Sequence, residues 1–292
     1  MRLGPFDTSE IRVRGGDGGG MGRAGGLGCG TLVIALIAAV VFGVDPMQTI
    51  GMLEGVQQQI PAESNQANIS EEDLCSSSAY ANEACAALAS LNRTWEPVFA
   101  RQGMRFEQPE LVLYPSGPVA TRGCGNASSA AGPFYCPADM GIYLDTTFFD
   151  QLAQMSGARI SGSQGNFARL YVIGHEYGHH LQNITGVARQ IRAAQQANPS
   201  RANRMQVAME LQADCLAGVW AGKNRDLLEP GDLEAGMLAA SAIGDDTLSR
   251  GSGRAINPEN FTHGTSAQRT EALRRGLAGA NMAECDVYLE AI

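Results

Sequence analysis

Two stretches of the chain carry helical spacing of apolar residues over a helix-long distance. The first starts with Phe167-Ala168-Arg169-Leu170-Tyr171-Val172-Ile173, and no proline interrupts it up to Gln182, so a helix over about 166–184 is predicted. The second runs from Ala202 to Trp220, where Met205, Val207, Met209, Leu211, Ala213, Leu216, Val219 and Trp220 make the predicted helix apolar nearly all round, as in a buried element. Residues 71–102 are also mostly helical in pattern, through Ala86, Leu88, Leu91, Trp95, Val98 and Phe99, with Pro97 expected to break or kink the helix. A polar helix is predicted over 187–197, closed by Asn198-Pro199. Another opens after Pro230-Gly231 and runs through Met237 and Ala239 to about Leu248, a loop follows over 250–260, and a last helix spans 266–277.

Strand signals are fewer and lie in the middle of the chain. Leu111-Val112-Leu113-Tyr114 ends at Pro115-Ser116-Gly117-Pro118, and residues 124–133 read as a loop. Phe134-Tyr135-Cys136 and Gly141-Ile142-Tyr143-Leu144-Asp145 read as strands about a turn at Pro137-Ala138-Asp139. Thr146 or Thr147 is placed to cap a helix holding Phe148, Phe149 and Leu152. The class this implies is α+β, rich in helix, with a small sheet and no internal repeat.

The N-terminal quarter has a different character. Residues 1–26 are rich in Gly and Arg, with Asp7, Glu10 and Asp17 nearly balancing the arginines, and read as a flexible, solvated tail. Residues 27–44 form an uncharged apolar run, at the lower limit for a membrane-spanning helix. Arg23 precedes it and Asp45-Pro46 follows, so the positive-inside bias places the N-terminus in the cytoplasm and the rest of the chain outside. The run is longer than the apolar region of a usual signal peptide, and no small-x-small site follows it, which favours an uncleaved anchor. Residues 45–70 read as a polar linker, leaving 71–292 as one domain.

Composition narrows the function classes. The chain has 292 residues, 44% hydrophobic and 17% charged, which suits a packed core rather than disorder. Its formal net charge is −9 and its basic residues form no patch, which argues against a nucleic-acid partner. Cys29 falls in the apolar run, and Cys75, Cys85, Cys124, Cys136, Cys215 and Cys285 follow it. An even set beyond a membrane segment points to disulfides and an oxidising compartment. The pairing Cys75–Cys85, Cys124–Cys136 and Cys215–Cys285 is expected, because the first two close short loops.

The chemistry concentrates at Gly174-His175-Glu176-Tyr177-Gly178-His179-His180, a stretch holding three of the four histidines. Its His-Glu-x-x-His pattern puts His175 and His179 one helical turn apart on one face, where two imidazoles can share a cation. Glu176 is about 100° round the helix from His175, beside the cation rather than on it, where a general base for a water belongs. Zinc suits such a site because it accepts imidazole nitrogens and keeps a position for water, whose pKa it lowers toward ~7. A third protein ligand is required. The position six residues after His179 is Thr185, but Glu210-Leu211-Gln212-Ala213-Asp214-Cys215 offers two carboxylates four apart on an apolar helix. Glu210 is the candidate third ligand. Asp214 is the candidate acceptor for the second N–H of a ligand histidine.

These residues carry a resemblance. His-Glu-x-x-His followed by Glu-x-x-x-Asp resembles the gluzincin plan of thermolysin-like metallopeptidases. The longer words Tyr171 to His180, Glu210 to Cys215, and His263-Gly264-Thr265-Ser266-Ala267-Gln268-Arg269 are similar to those of the bacterial neutral zinc metallopeptidase family, over roughly residue 71 to the C-terminus. Gly174, Tyr177 and Asn166 depart from the residues expected there (alanine, valine and aspartate), and none is a proposed ligand. The resemblance implies a membrane-anchored zinc peptidase acting on peptides or proteins. It raises His263, on a loop before the last helix, from an ordinary histidine to a candidate donor for the oxyanion of a tetrahedral intermediate; a fourth metal ligand is the alternative. Arg269 is placed to orient substrate or to pair with an acid. Tyr177 is a lesser candidate donor, and His180, off the metal face, reads as structural. The mechanism expected has zinc on His175, His179 and Glu210, with Glu176 as general base and His263 at the oxyanion. The rival is a non-catalytic envelope protein with structural zinc, which a site closed by His263 would favour.

Overall fold

The computed structural model describes residues 1–18, 69–129, 132–149, 166–251 and 256–290. The expected membrane segment at 27–44 and nearly all of the expected linker lie outside the described residues. Among the described residues no helix is long and apolar enough to cross a membrane.

The architecture is α+β and rich in helix, with two small sheets. Helices α1 (Glu71–Ser76) and α2 (Ala79–Arg101) replace the single helical stretch expected over 71–102, divided where Ser78 turns extended and caps α2 by accepting from the Ala81 N–H. Pro97 does not break α2, which runs on to Arg101 because Trp95, Val98 and Phe99 are buried on either side of it. The missing proline N–H removes one hydrogen bond of the ladder, and tertiary packing outweighs it.

The main sheet has the order β1-β3-β7-β6, from Arg12–Gly15, Glu110–Tyr114, Gly141–Asp145 and Phe134–Cys136. The first three are parallel, with Leu111 opposite Ile142 and Val13 opposite Leu111, and β6 closes the row antiparallel to β7. A second sheet, β2 (Asp17–Gly18), β4 (Pro118–Ala120) and β5 (Asn126–Ser128), is antiparallel and occupies part of the stretch expected to be loop. Every residue of β7 is buried, as fits a strand with neighbours on both edges.

The first eighteen residues are not a free tail. Ile11 and Val13 are 3% and 5% exposed and join the main core, while Arg14 donates to Glu110 at 2.7 Å and to the Tyr143 hydroxyl at 2.9 Å. The Glu10 carbonyl accepts from Asn92 on α2 at 3.0 Å. Alternation of Ile11 and Val13 with Arg12 and Arg14 is the period of a half-buried strand, and here it outweighs the glycine-rich composition.

Helices α3 (Asn166–Ile184), α4 (Val187–Ala197), α5 (Ala202–Lys223), α6 (Asp232–Ala242), α7 (Asp245–Gly251) and α8 (Ser266–Gly279) form the other half. The single helix expected from Pro230 to Leu248 is broken at Gly244, where a Cβ would run into the backbone of Ser266. The disulfides are those expected: Cys75–Cys85, Cys124–Cys136 and Cys215–Cys285. At the end of β7, Thr147 donates through both N–H and hydroxyl to Asp145, so the expected capping threonine is itself held by the preceding carboxylate. Leu152 lies outside the described residues.

Candidate metal centre

Helix α3 is buried along most of its length, and α5 crosses it with residues 208 and 210–222 buried. From this crossing His175, His179 and Glu210 converge. One ligand atom from each lies within 4.8 Å of the other two, and the trio is the cluster of this kind found among the described residues. The Glu210 Oε2 atom is 3.2 Å from His175 Nε2 and 3.6 Å from His179 Nε2. Two imidazole nitrogens and one carboxylate oxygen, drawn from two helices, form a site that can hold a metal ion.

The far side of each of these three side chains is fixed. His175 Nδ1 sits 2.7 Å from Asp214 Oδ1, and His179 Nδ1 sits 2.9 Å from Gln182 Oε1. Both acceptors draw the ring proton to Nδ1 and leave the Nε2 lone pair facing the trio. Gln182 is held in turn, donating to the Met209 carbonyl at 2.7 Å and to Gln212 at 2.9 Å. Gln206 donates to Glu210 Oε1 at 2.9 Å, leaving Oε2 for the shared centre.

Asp214 is fully buried and works at the junction of three groups. It accepts from His175, from the Tyr171 hydroxyl at 2.6 Å, and from Arg269 through Nε at 2.8 Å and Nη2 at 2.9 Å. Helix α8 can bring Arg269 this close because Gly276 lies against α5, where a Cβ would collide with the Cys215 carbonyl. Burial alone would push the Asp214 carboxyl up. The Arg269 charge and the His175 imidazole reverse that and hold it at about 2. Burial would likewise disfavour charge on His175, but Asp214, reinforced by hydrogen bonds to Asp214 and Glu210, raises its proton affinity to about 10. An imidazole whose Nδ1–H is held by a carboxylate is a better donor to a cation at its other nitrogen. Glu210 is held well below the usual carboxylate range: burial acts upward, and the His179 charge and the hydrogen bonds of both histidines act more strongly downward.

Glu176 is 8% exposed, and burial pushes its carboxyl above the ordinary value, with the neighbouring histidines acting in the opposite sense. A carboxylate with raised proton affinity is what a general base near neutral pH requires.

His263 stands outside the trio. Its Nδ1 is 3.1 Å from Asp245 Oδ1, and Asp245 Oδ2 accepts from the backbone N–H groups of Thr262, His263 and Gly264 at 2.8, 2.7 and 3.0 Å. The imidazole is therefore oriented by Asp245, and its charge contributes to the low pKa of Glu210. The structure gives the other candidates different places. Tyr177 is buried and donates to Asn92 at 2.8 Å, so it faces away from the centre. His180 donates through Nε2 to the Glu107 carbonyl (2.6 Å) and meets the Tyr135 hydroxyl at Nδ1 (3.1 Å), a structural role. Arg269 pairs with an acid.

Gln182, Gln206 and Asp245 were not visible as site residues in the sequence. Gln182 is three residues past His179 and Gln206 four before Glu210, a helical-neighbour signal that exists but is common on any helix. Asp245 has no local signal, because only the break at Gly244 turns it toward His263.

Comparison with known proteins agrees with this geometry. The model of the family described as "Putative neutral zinc metallopeptidase" matches residues 7–288. The chain belongs to this family. Within it, the chain is 38% identical over 296 aligned residues to the uncharacterized protein YpfJ of Escherichia coli K12, covering 98% of this chain and 97% of that one. It is 37% identical over 269 residues to the uncharacterized protein Rv2575 of Mycobacterium tuberculosis, covering 86% and 85%. No solved structure matches. The family match starts at residue 7, so it takes in the strand β1 that lies before the apolar run.

Proposed function

We propose that this chain is a zinc-dependent peptidase, with His175, His179 and Glu210 as metal ligands and Glu176 as general base. The observation that carries the reading is the convergence of two Nε2 atoms and one carboxylate oxygen with a buried glutamate next in sequence to a ligand. Three protein ligands of this type match the donor set of catalytic zinc sites, which keep a position for water or substrate. When bound, zinc supplies Lewis acidity to a scissile carbonyl and lowers the pKa of water. Glu176 accepts the proton of the attacking water and returns it to the leaving amine. With Nδ1–H held by Asp245, His263 as the imidazolium donates from Nε2 to the developing oxyanion. His263 being held by Asp245, apart from the trio, supports this reading over a closed structural site.

The substrate side of the proposal uses β6. Among the described residues it pairs on one edge alone, with β7, and its Tyr135 packs against His180 and Asn183 of α3. A free strand edge beside the metal helix can take up an extended peptide by backbone pairing. The strand closest in sequence before α3, β7, is interior and unavailable for this. The three disulfides support a domain that works outside the cytoplasm.

The test is metal analysis of the purified protein with an unbiased peptide-cleavage screen, run beside Glu176→Gln. The variant is expected to keep one equivalent of zinc and lose hydrolysis by a factor of ~10² or more. Cleavage at the parent rate by Glu176→Gln would show that the base is elsewhere.

A further inference from the structure

The chain holds 30 acidic residues, yet none falls between Glu176 and Glu210, the stretch that joins the two halves of the site. That stretch carries Arg189, Arg192, Arg201 and Arg204, all exposed. Helix α4 holds the first two, and its place is set on both sides. Ahead of it, Asn183 donates to the Tyr135 hydroxyl at 2.9 Å and to the Pro137 carbonyl at 3.1 Å, and the chain turns into α4 at Gly186, where φ is 84°. The start of α4 therefore lies beside the end of β6. Further along, Gln195 donates to the Ala202 carbonyl at 3.1 Å and to Gln206 at 3.3 Å, and Gln206 holds Glu210. The helix thus runs from the edge strand to the support of a proposed metal ligand.

Arg192 sits between these two anchors, one turn before Gln195. Ala188 and Ile191 bury the inner face of α4, and Arg192 stands out from it. Burial raises the pKa of the Tyr135 hydroxyl on β6, and the Arg192 charge is among those acting downward on it, so the guanidinium lies on the β6 side of the helix. The acids felt at the same hydroxyl are engaged elsewhere. Asp139 accepts from Tyr143 at 2.7 Å and from the Gly141 N–H at 2.9 Å, and Glu107 stands 3.9 Å from Arg105. Among the described residues Arg192 pairs with no carboxylate. A guanidinium presents a planar fork that matches a carboxylate. We propose that Arg192 is a specificity-determining residue: it takes a carboxylate of a peptide paired along the open edge of β6, so the substrates are peptides with an acidic side chain or a free C-terminal carboxylate near the scissile bond. This rests on the peptidase reading of the same site. Backbone pairing on a strand edge does not discriminate sequence, and one fixed charge beside the edge supplies both selectivity and register.

The test reads binding apart from cleavage. Three pools of fluorescein-labelled decapeptides are titrated by anisotropy against the full-length Glu176→Gln protein loaded with zinc. One pool is amidated with a single Asp or Glu, one is neutral with a free C-terminal carboxylate, and one is neutral and amidated. The expected result is that one of the first two pools binds about fivefold more tightly than the third, with the preference weakened in about 0.5 M salt. Which of the two it is tells a side-chain carboxylate from a C-terminal one. Arg192→Gln is expected to abolish the preference and Arg192→Lys to keep part of it. Arg101→Glu, at an exposed position on α2, should leave it intact. Equal affinity for the three pools, or binding of none, would overturn the proposal. So would a preference that survives Arg192→Gln, or one that Arg101→Glu removes equally, since the carboxylate would then be recognised elsewhere or by net charge alone. Cleavage is read separately with Glu176 in place. A protein that prefers carboxylate peptides and cleaves none would fail the peptidase reading while keeping the Arg192 contact.

Discussion

At the scale of single residues the centre is a set of side chains each held by another. Asp245 is the clearest case, since it contacts His263 and three backbone N–H groups and reaches none of the trio. Asp245→Asn is expected to lower kcat with little change in KM or zinc content, and His263→Ala to lower it by about 10²-fold, the scale of a lost oxyanion donor. Steady-state kinetics beside metal analysis check both. His180 gives a prediction in pH. Burial pushes its imidazole from 6.5 down to about 4, against the Glu107 carbonyl that acts to raise it. Its folded pKa lies below its unfolded one, so between these values the unfolded chain binds the extra proton. The contribution is whole above about 6.5 and is lost as pH falls through about 4, amounting to about 3 kcal/mol. Urea melts of the parent and of His180→Gln across that window should converge at low pH, and parallel curves would refute the assignment.

At the scale of elements, the crossing of α3 and α5 decides whether a metal site exists. The two helices meet at Gly178, where an added Cβ would stand 2.9 Å from both the Cα and the carbonyl oxygen of Ala213. Backbone cannot yield as a side chain can, so Gly178→Ala is expected to cost about 1–3 kcal/mol and weaken zinc binding. Gly174, one turn earlier, has its closest would-be contacts with the side chains of Ala217 and Trp220, at 3.3 Å. Gly174→Ala should fold with nearly the parent melting temperature. Thermal melts and chelator competition on the pair separate these outcomes; equal effects would mean that the crossing is not as close as described. The break between α6 and α7 is the other decisive element. Without it, Asp245 would continue a helix, and His263 would have no carboxylate beside it.

At the scale of the whole molecule, residues 1–18 belong to the folded domain. Ile11 is 3% exposed, so Ile11→Asp buries an unpaired charge and is expected to lower stability by about 3 kcal/mol, while Arg12→Asp, at an exposed position, changes it little. The melting temperatures of the two variants measure this. Equal, small effects would return residues 1–18 to the status of a tail.

The local pattern by itself determined the helices of the site and three mid-chain strands, and it pointed to the disulfide pairs and to His175, His179 and Glu210 as residues that come together. All of these depend on spacing within one element or on a short repertoire of partners. It did not reveal which elements touch. The strand at Arg12–Gly15 was hidden by its glycine-rich surroundings because four residues carry little periodic signal, and pairing with β3 supplies the hydrogen bonds and burial that make it a strand. Pro97 stays in a helix, and the helix after Pro230 breaks at Gly244, for the same reason: local preference is a matter of about a kcal/mol per residue, and tertiary packing outweighs it. Asp245, Gln182 and Gln206 acquire roles only once folding sets them against their partners, since a hydrogen bond to a distant residue leaves no mark on the chain that carries it.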